Sequence, residues 1–416
     1  MITFRGSPYK KSFVKRFFYT FAVSTINNRG FKAATCMSTI ALKEVTNKKN
    51  LRAFIDFPFT LFADSPHWVP PLIRDELDTF DRTKNPAFEY AEARLWLAFK
   101  NEKVVGRIAA IKHGPELNKE QKLRFGWIDF VDDIDVSKAL LSKVEEWAAE
   151  LRATQIHGPL GFNDMDFEGM LIDGFDEPTT IATIYNYPYY PVHLEELGFQ
   201  KAADWRELRG EFVADIPQKL TRTAEVVKDR FNLHTVKLTS SKDIKRYGEK
   251  LFKTLNHSYG DLYGFYRLTP VEARYVVKKY LGFLSPKYIS LVADEHNNVV
   301  AFGVAMPSLT NAFKKANGRL FPFGFIHIAK AMLFNKNLDL YLIGINPEYQ
   351  NSGVVTIIFN ELWERFKKLG IKSLHANPLL ESNERMFNLW KTLGGGDKVI
   401  KQRRCYIKKI REPMDD

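Results

Sequence analysis

The 416-residue chain has only two cysteines, Cys36 and Cys405. That excludes a disulfide framework and a cysteine-based zinc site, and it fits a reducing compartment. Nine histidines are present, without metal-ligand spacing. No run approaches the roughly 20 apolar residues that a membrane span needs. Acids are absent from residues 1–36, where Arg5, Lys10, Lys11, Lys15, Arg16, Arg29 and Lys32 supply seven positive charges. The net charge of +12 therefore overstates the body of the chain, which carries +5 without them. No stripe of bases interleaved with aromatics suits a nucleic-acid groove, and no nucleic-acid partner is expected.

What is present is ordinary globular composition, 45% hydrophobic and 26% charged, at a length for two domains. Residues 1–36 read as an extension outside the fold. Either Met37 is the true first residue, or the segment is a targeting or membrane-surface element. A soluble cytoplasmic protein without a transmembrane segment is expected.

Two stretches repeat. Leu97–Ile111 and Leu291–Met306 each read as strand, polar turn and strand, with a glycine in the second strand. His193–Phe212 and Phe387–Lys408 each read as a helix end, a Leu-Gly stop and a closing strand. Gly106 pairs with Gly303, and Gly198 with Gly394, at a common offset of about 197 positions, which points to duplication. The first copy is expanded between Ile156 and Leu194. The second is expanded between Pro307 and Leu338, with a helix expected near Ile326–Leu333. That apolar Leu309–Lys336 insertion suits an acyl pocket or a membrane contact. The expected layout is an extension at 1–36, domains at 37–214 and 235–410, a linker with its own helix at 215–234, and a tail at 411–416.

The segment Pro347–Pro378 reads as a strand end, the loop Gln350-Asn351-Ser352-Gly353, an amphipathic helix and a strand. Val354, Ile357, Ile358, Leu362, Phe366 and Leu369 form one apolar stripe at helical spacing. A helix N-terminus offers unpaired N–H groups and a positive dipole end to a phosphate.

The Gln-x-x-Gly spacing of Gln350 to Gly353, with the element order, resembles the acyl-CoA pyrophosphate loop of the GNAT superfamily of N-acyltransferases. That pattern ends in Gly or Ala where this chain has Val355. The resemblance covers about Met37–Lys409. The doubling is similar to N-myristoyltransferases and to aminoacyl transferases of peptidoglycan bridges. HWVPPL at His67–Leu72 and LIDGFDEP at Leu171–Pro178 resemble uncharacterised tandem GNAT proteins of bacteria. The implied fold is α/β (α+β), with two GNAT-like domains, each a mixed twisted sheet flanked by helices.

The resemblance implies that acetyl-CoA or a longer acyl-CoA enters between two splayed strands of the second half. Backbone at Ile345, Asn346 and Pro347 would face pantetheine. The N–H groups of Ser352, Gly353, Val354 and Val355 would hold the pyrophosphate, and Gln350 would shape the loop. The closing-helix motif maps onto Asn383, Met386, Leu389 and Trp390, with Trp390 where a catalytic Tyr would stand. Indole donates a hydrogen bond but is no acid near neutral pH. Glu348 and His375 are the remaining acid–base candidates, although a lone His on a strand is more often a core residue. Tyr259, Asp261, Tyr263 and Tyr266 fall where the family covers its acceptor, an amine on a small molecule, amino acid or peptide. In the first half, Asp132, Asp133 and Asp135 replace the glycine loop. They would repel a phosphate and suit helix capping instead. The aromatic run Tyr185–Tyr190 reads either as a cleft lining or as a rigid buried turn. The rival functions are a binding scaffold on a decayed GNAT fold, to which Val355 and Trp390 point, and an aminoacyl-tRNA-dependent transferase.

Overall fold

A computed structural model describes residues 39–215, 217–280, 282–394 and 398–410. The extension at 1–36 and the tail at 411–416 lie outside them. The first half runs β1 (Ala41–Glu44), α1 (Lys48–Leu61), α2 (Ile73–Thr79), β2 (Ala91–Lys100), β3 (Lys103–His113), α3 (Gly114–Glu120), β4 (Lys122–Phe130), α4 (Ile134–Glu150), β5 (Gln155–Gly158), β6 (Met170–Asp173), α5 (Tyr189–Glu196) and β7 (Gln200–Glu211). The expected linker holds helix α6 (Gln218–Phe231). The second half runs β8 (His234–Thr235), α7 (Ser241–Ser258), α8 (Pro270–Tyr280), β9 (Ile289–Ala293), β10 (Val299–Pro307), α9 (Thr310–Ala316), α10 (Gly324–Phe334), β11 (Asn337–Ile345), α11 (Val355–Leu369), β12 (Ser373–Leu380), α12 (Glu384–Thr392) and β13 (Val399–Lys409).

The strands join in one thirteen-stranded mixed sheet, ordered β1-β2-β3-β4-β5-β13-β7-β12-β11-β10-β9-β8, with β6 paired to β13. The order is nearly palindromic about the β13–β7 pair, the sheet-level form of the sequence repeat. The closing strands are exchanged. β7, the end of the first half, pairs with β12, and β13, the end of the second, pairs with β5. A cut near residue 215 therefore separates each half from the strand that completes it. Residues 39–215 and 217–410 expressed separately are expected to give aggregated protein, because each leaves a sheet edge unpaired. Co-expression should return a soluble complex by size-exclusion chromatography. Two soluble folded halves would show that the exchange is dispensable.

The β7–β13 seam buries an ionic hub. The fully buried Glu207 carboxylate accepts from Arg403 Nε at 2.6 Å and lies 2.9 Å from Lys401 Nζ and 3.0 Å from His375 Nε2. Apolar cores flank the seam. In the first, Phe125, Phe130, Val136, Leu140 and Trp147 pack α4 on the sheet; in the second, Ile357, Ile358, Leu362 and Phe366 of the expected α11 stripe do so, joined by Trp363. In the Tyr185–Tyr190 run, Tyr185, Asn186 and Tyr190 are buried and line a pocket of the first half, whereas Tyr187 and Tyr189 are half-buried and Pro188 is exposed. Tyr190 is fully buried, stacks on Phe130 at 4.2 Å, and its hydroxyl meets Asp129.

Candidate active site

β11 and β12 run parallel and paired only from Asn337–Ser373 to Leu340–Ala376. Beyond that, β11 stays with β10, and β12 bulges and follows β7. The strands part, and a slot of about 90 Å³ opens between Leu340–Ile343, Ala376–Leu379, α11 and α12. On the other face of the sheet lies a larger cavity of about 230 Å³ beneath α7 and α8. Tyr259, Val304, Tyr341, Leu342, Asn377 and Pro378 line both, so slot and cavity meet where the strands part.

Two buried donors at the slot have no partner among the described residues: Asn377 Nδ2 and Trp390 Nε1. The Asn377 amide is oriented through its Oδ1, which accepts from Thr180 Oγ1 at 3.1 Å. A buried donor left unpaired costs about 1–3 kcal/mol, and such groups are uncommon in folded proteins. A carbonyl-bearing ligand in the slot would satisfy both.

The loop before α11 is built for an open N-terminus. Gly353 sits at φ +88, a left-handed conformation that glycine adopts without strain, and the helix begins two residues later at Val355. Gln350 Nε2 donates to Ile345 O at 3.4 Å, and Ser352 Oγ donates to Tyr349 O at 2.6 Å, both shaping the loop. Val354 N–H reaches Ser352 Oγ at only 3.4 Å. The N–H groups of Gly353 and Val355 have no partner among the described residues.

The other residues singled out by sequence are dispersed. Glu348 is exposed on the turn Pro347–Tyr349 and lines neither slot nor cavity. His375 is buried with its ring between Glu207 and Asp339, so its place is the ionic hub rather than a reaction site. Asn383 caps α12, accepting from Met386 N. Of the four acceptor candidates only Tyr259 reaches the slot, donating to Ile343 O at 3.1 Å. Tyr263 bonds His157 Nδ1 at 2.8 Å, Tyr266 bonds Glu120 at 2.9 Å, and Asp261 is exposed; all three border a polar cleft over the first half. They follow the Gly260–Gly264 turn away from the slot.

Sequence reasoning missed Asp164 and Glu168. Both come from the first-half expansion and line the apolar cavity of the second half, among Leu251, Phe252, Leu284 and Leu291. Neither carboxyl has a hydrogen-bond or ion-pair partner among the described residues. Burial pushes Asp164 up to about 6, and burial followed by repulsion from Asp164 holds Glu168 well above the ordinary carboxylate range. Their neighbour Asp166 is instead used locally, accepting from Phe162 N at 2.9 Å. The available signal was the expansion itself, three acids in the stretch Asn163–Glu168 between apolar strands.

In the first half the corresponding gap is narrower, a pocket of about 60 Å³ between Ile128, Asp129, Pro159 and Tyr190. β4 and β5 pair from Lys122–Gln155 to Arg124–His157, and the chain then folds back onto the gap. Leu160 N–H donates to Phe125 O at 2.8 Å, and a Cβ on Gly126 would lie 2.4 Å from Leu160 O. Asp133 caps α4 and pairs with Lys100 at 2.8 Å. The stretch that folds onto this gap continues directly into Asp164–Glu168.

No known family profile matches the chain. Protein YghO of Escherichia coli K12 is 29% identical over 379 residues, covering 88% of this chain and 94% of its own length. The bacterial ceramide synthase of Caulobacter vibrioides is 26% identical over 367 residues, covering 84% and 93%. Among solved structures, a tandem GNAT protein from the clavulanic acid biosynthesis pathway superposes with a TM-score of 0.54 at 11% identity, over 91% of this chain and all of that one. A GCN5-related glucosamine N-acetyltransferase region of a fungal multi-domain β-N-acetylglucosaminidase gives 0.50 at 13% identity, over 89% of this chain and 38% of that one. The chain has the tandem GNAT fold.

Proposed function

We propose that this tandem GNAT-fold protein is an acyl-CoA-dependent N-acyltransferase that works at the slot of its second half. The observation that carries the reading is the meeting of slot and cavity at the parted strands. A thioester entering from one face of the sheet meets an acceptor held on the other. The backbone near Ile345 and Asn346, with the N–H groups of Gly353 and Val355, would hold the CoA, the Ser352 N–H being given to Tyr349 O at 3.3 Å. Asn377 Nδ2 and Trp390 Nε1 would donate to its carbonyls, or to the oxyanion that forms on attack.

The cavity fits the acceptor better than the acyl chain. A fatty chain would leave two half-buried carboxylates without a partner, whereas an amine on an apolar chain gives them a cation and fills the remainder. Asp164 or Glu168 then takes the ammonium proton, so that a neutral amine attacks the thioester carbon; the C–S bond breaks, and the CoA thiolate leaves and takes up the proton that the new amide nitrogen gives up. The relative named for ceramide synthesis supports this, ceramide being the amide of a long-chain amine.

The CoA half of the reading is tested by calorimetry of acetyl-CoA and longer acyl-CoAs on the full chain and on Ser352→Glu. Gly353→Glu suits the purpose less well, since a side chain at φ +88 is strained and its Cβ would press on Thr223 and Val227 of α6 at 3.3 Å. The added charge at Ser352 should weaken binding at least about 10-fold by repulsion of the pyrophosphate. Equal affinity in the variant would move the CoA site elsewhere. Failure of the unmodified chain to bind any acyl-CoA would leave the scaffold reading ahead.

A further inference from the structure

Ten large hydrophobic side chains are exposed among the described residues, and six of them fall in one fourteen-residue stretch. They are Phe321, Phe323, Phe325, Ile326, Leu333 and Phe334, of which Phe321 and Leu333 are 74% and 72% exposed. Scattered exposed apolar residues need no explanation, but a contiguous patch does. This patch is held out from the body by a buried stripe on its other side. Ala312, Phe313 and Ile328 pack against Val69, Leu72 and Leu309.

The charge along this segment is of one sign. No Asp or Glu occurs between Glu295 and Asp339, and the segment carries Lys314, Lys315, Arg319, Lys330 and Lys336. None of these five forms an ion pair among the described residues. Lys314 and Lys336 reach only backbone oxygens, of Pro66 and Leu369, and Lys315, Arg319 and Lys330 are exposed.

We infer that α10 and the turn before it dock on an anionic lipid bilayer. Aromatic and aliphatic side chains inserted at the boundary of headgroups and acyl chains, with lysines at the phosphates, are how an amphipathic surface helix lies on a membrane. The eleven residues of α10 are about half the length needed to cross one, so the element rests in the interface. Another protein's apolar surface would gain nothing from five unpaired cations, whereas anionic headgroups neutralise them. The location has a use. Ile181 touches the buried stripe of the insertion and also lines the cavity beneath α7 and α8, so an apolar molecule leaving a bilayer here is one side chain from that cavity. The surface stands on its own observations and does not need the acyl-transfer reading.

The test is sedimentation of the full chain with phosphatidylcholine vesicles, with and without 30 mol% (about one lipid in three) phosphatidylglycerol. The comparison protein is the triple variant Phe323→Ser, Leu333→Ser, Phe334→Ser. These positions are exposed, so its circular dichroism melt should match the parent's. The basic residues 1–36 are present in both proteins and cancel in the comparison. The parent should partition onto anionic vesicles, the triple variant at least about 10-fold less, and added salt should weaken both. Equal partitioning of the two proteins would overturn the assignment, as would failure of the parent to bind anionic vesicles. A concentration-dependent dimer of the parent that the triple variant abolishes, without vesicle binding, would instead make the patch an interface between two copies.

Discussion

With a turnover assay in hand, replacing the two cavity carboxylates together, Asp164→Asn with Glu168→Gln, is expected to lower kcat by about 10²–10⁴-fold while acyl-CoA binding stays within about twofold. The slot that would hold the thioester is separate from these side chains, so the loss should appear in the chemical step and in acceptor binding. The pH profile is the sharper readout. Asp164 is raised to about 6 and Glu168 is held well above its ordinary range, and both line one cavity. The parent's rate should therefore rise with pH through about 6 and continue rising as the second proton leaves, as coupled acids do. Each single variant should leave one step.

The same substitution should stabilise the fold. Between 3.8, the ordinary value for Asp, and about 6, the unfolded chain is ionised at this position while the folded chain keeps its proton. Folding is therefore penalised as pH rises through that window, and the penalty is fully present above about 6. At pH 7, Asp164→Asn should raise the unfolding free energy by about 1–3 kcal/mol. Loss of activity with gain of stability separates a functional carboxylate from a structural one. A double variant with parental turnover and an unchanged pH profile would remove these residues from the chemistry and leave the CoA-binding prediction untouched.

Glu207→Ala is expected to cause the largest loss of stability, about 3–5 kcal/mol by urea titration. It strands Arg403 and Lys401 in the interior without their common carboxylate, and it frees the ring of His375. The flanking cations hold the Glu207 carboxyl well below the ordinary range despite its burial. A group with a depressed native pKa stabilises fully above its unfolded value near 4.5, and that contribution fades as pH falls toward the native value. The parent should thus lose stability below about pH 4.5, and Glu207→Ala should show less of this acid dependence. A loss below about 1 kcal/mol would mean that backbone oxygens suffice. Lys401 also donates to Pro178 O at 2.7 Å, and Arg403 to Ile184 O at 2.6 Å.

Much of this architecture follows from local pattern. The α11 stripe, the polar turns of the hairpins and the Leu-Gly stops are signals carried within a dozen residues, and they predict the second half almost strand for strand. The repeat at an offset near 197 predicts the doubling. Asp133 as a cap in place of a phosphate loop follows from three adjacent acids. The loop at Gly353 was legible because a helix start needs only neighbouring residues.

Tertiary structure decided which sheet each closing strand joins. β7 and β13 are both long strands rich in charged residues, and nothing local distinguishes pairing with β5 from pairing with β12; a three-dimensional match does, with Glu207 drawing Lys401 and Arg403 into one seam. It also decided that His375 is spent in that hub and that Tyr263 turns toward His157 rather than the slot. It brought Asp164 and Glu168 of the first half under the helices of the second, beside Tyr341 and Asn377. Such contacts join residues nearly two hundred positions apart. Periodicity and spacing reach only as far as a helix or hairpin, so a site assembled from both copies of a repeat becomes visible only once the copies are packed together.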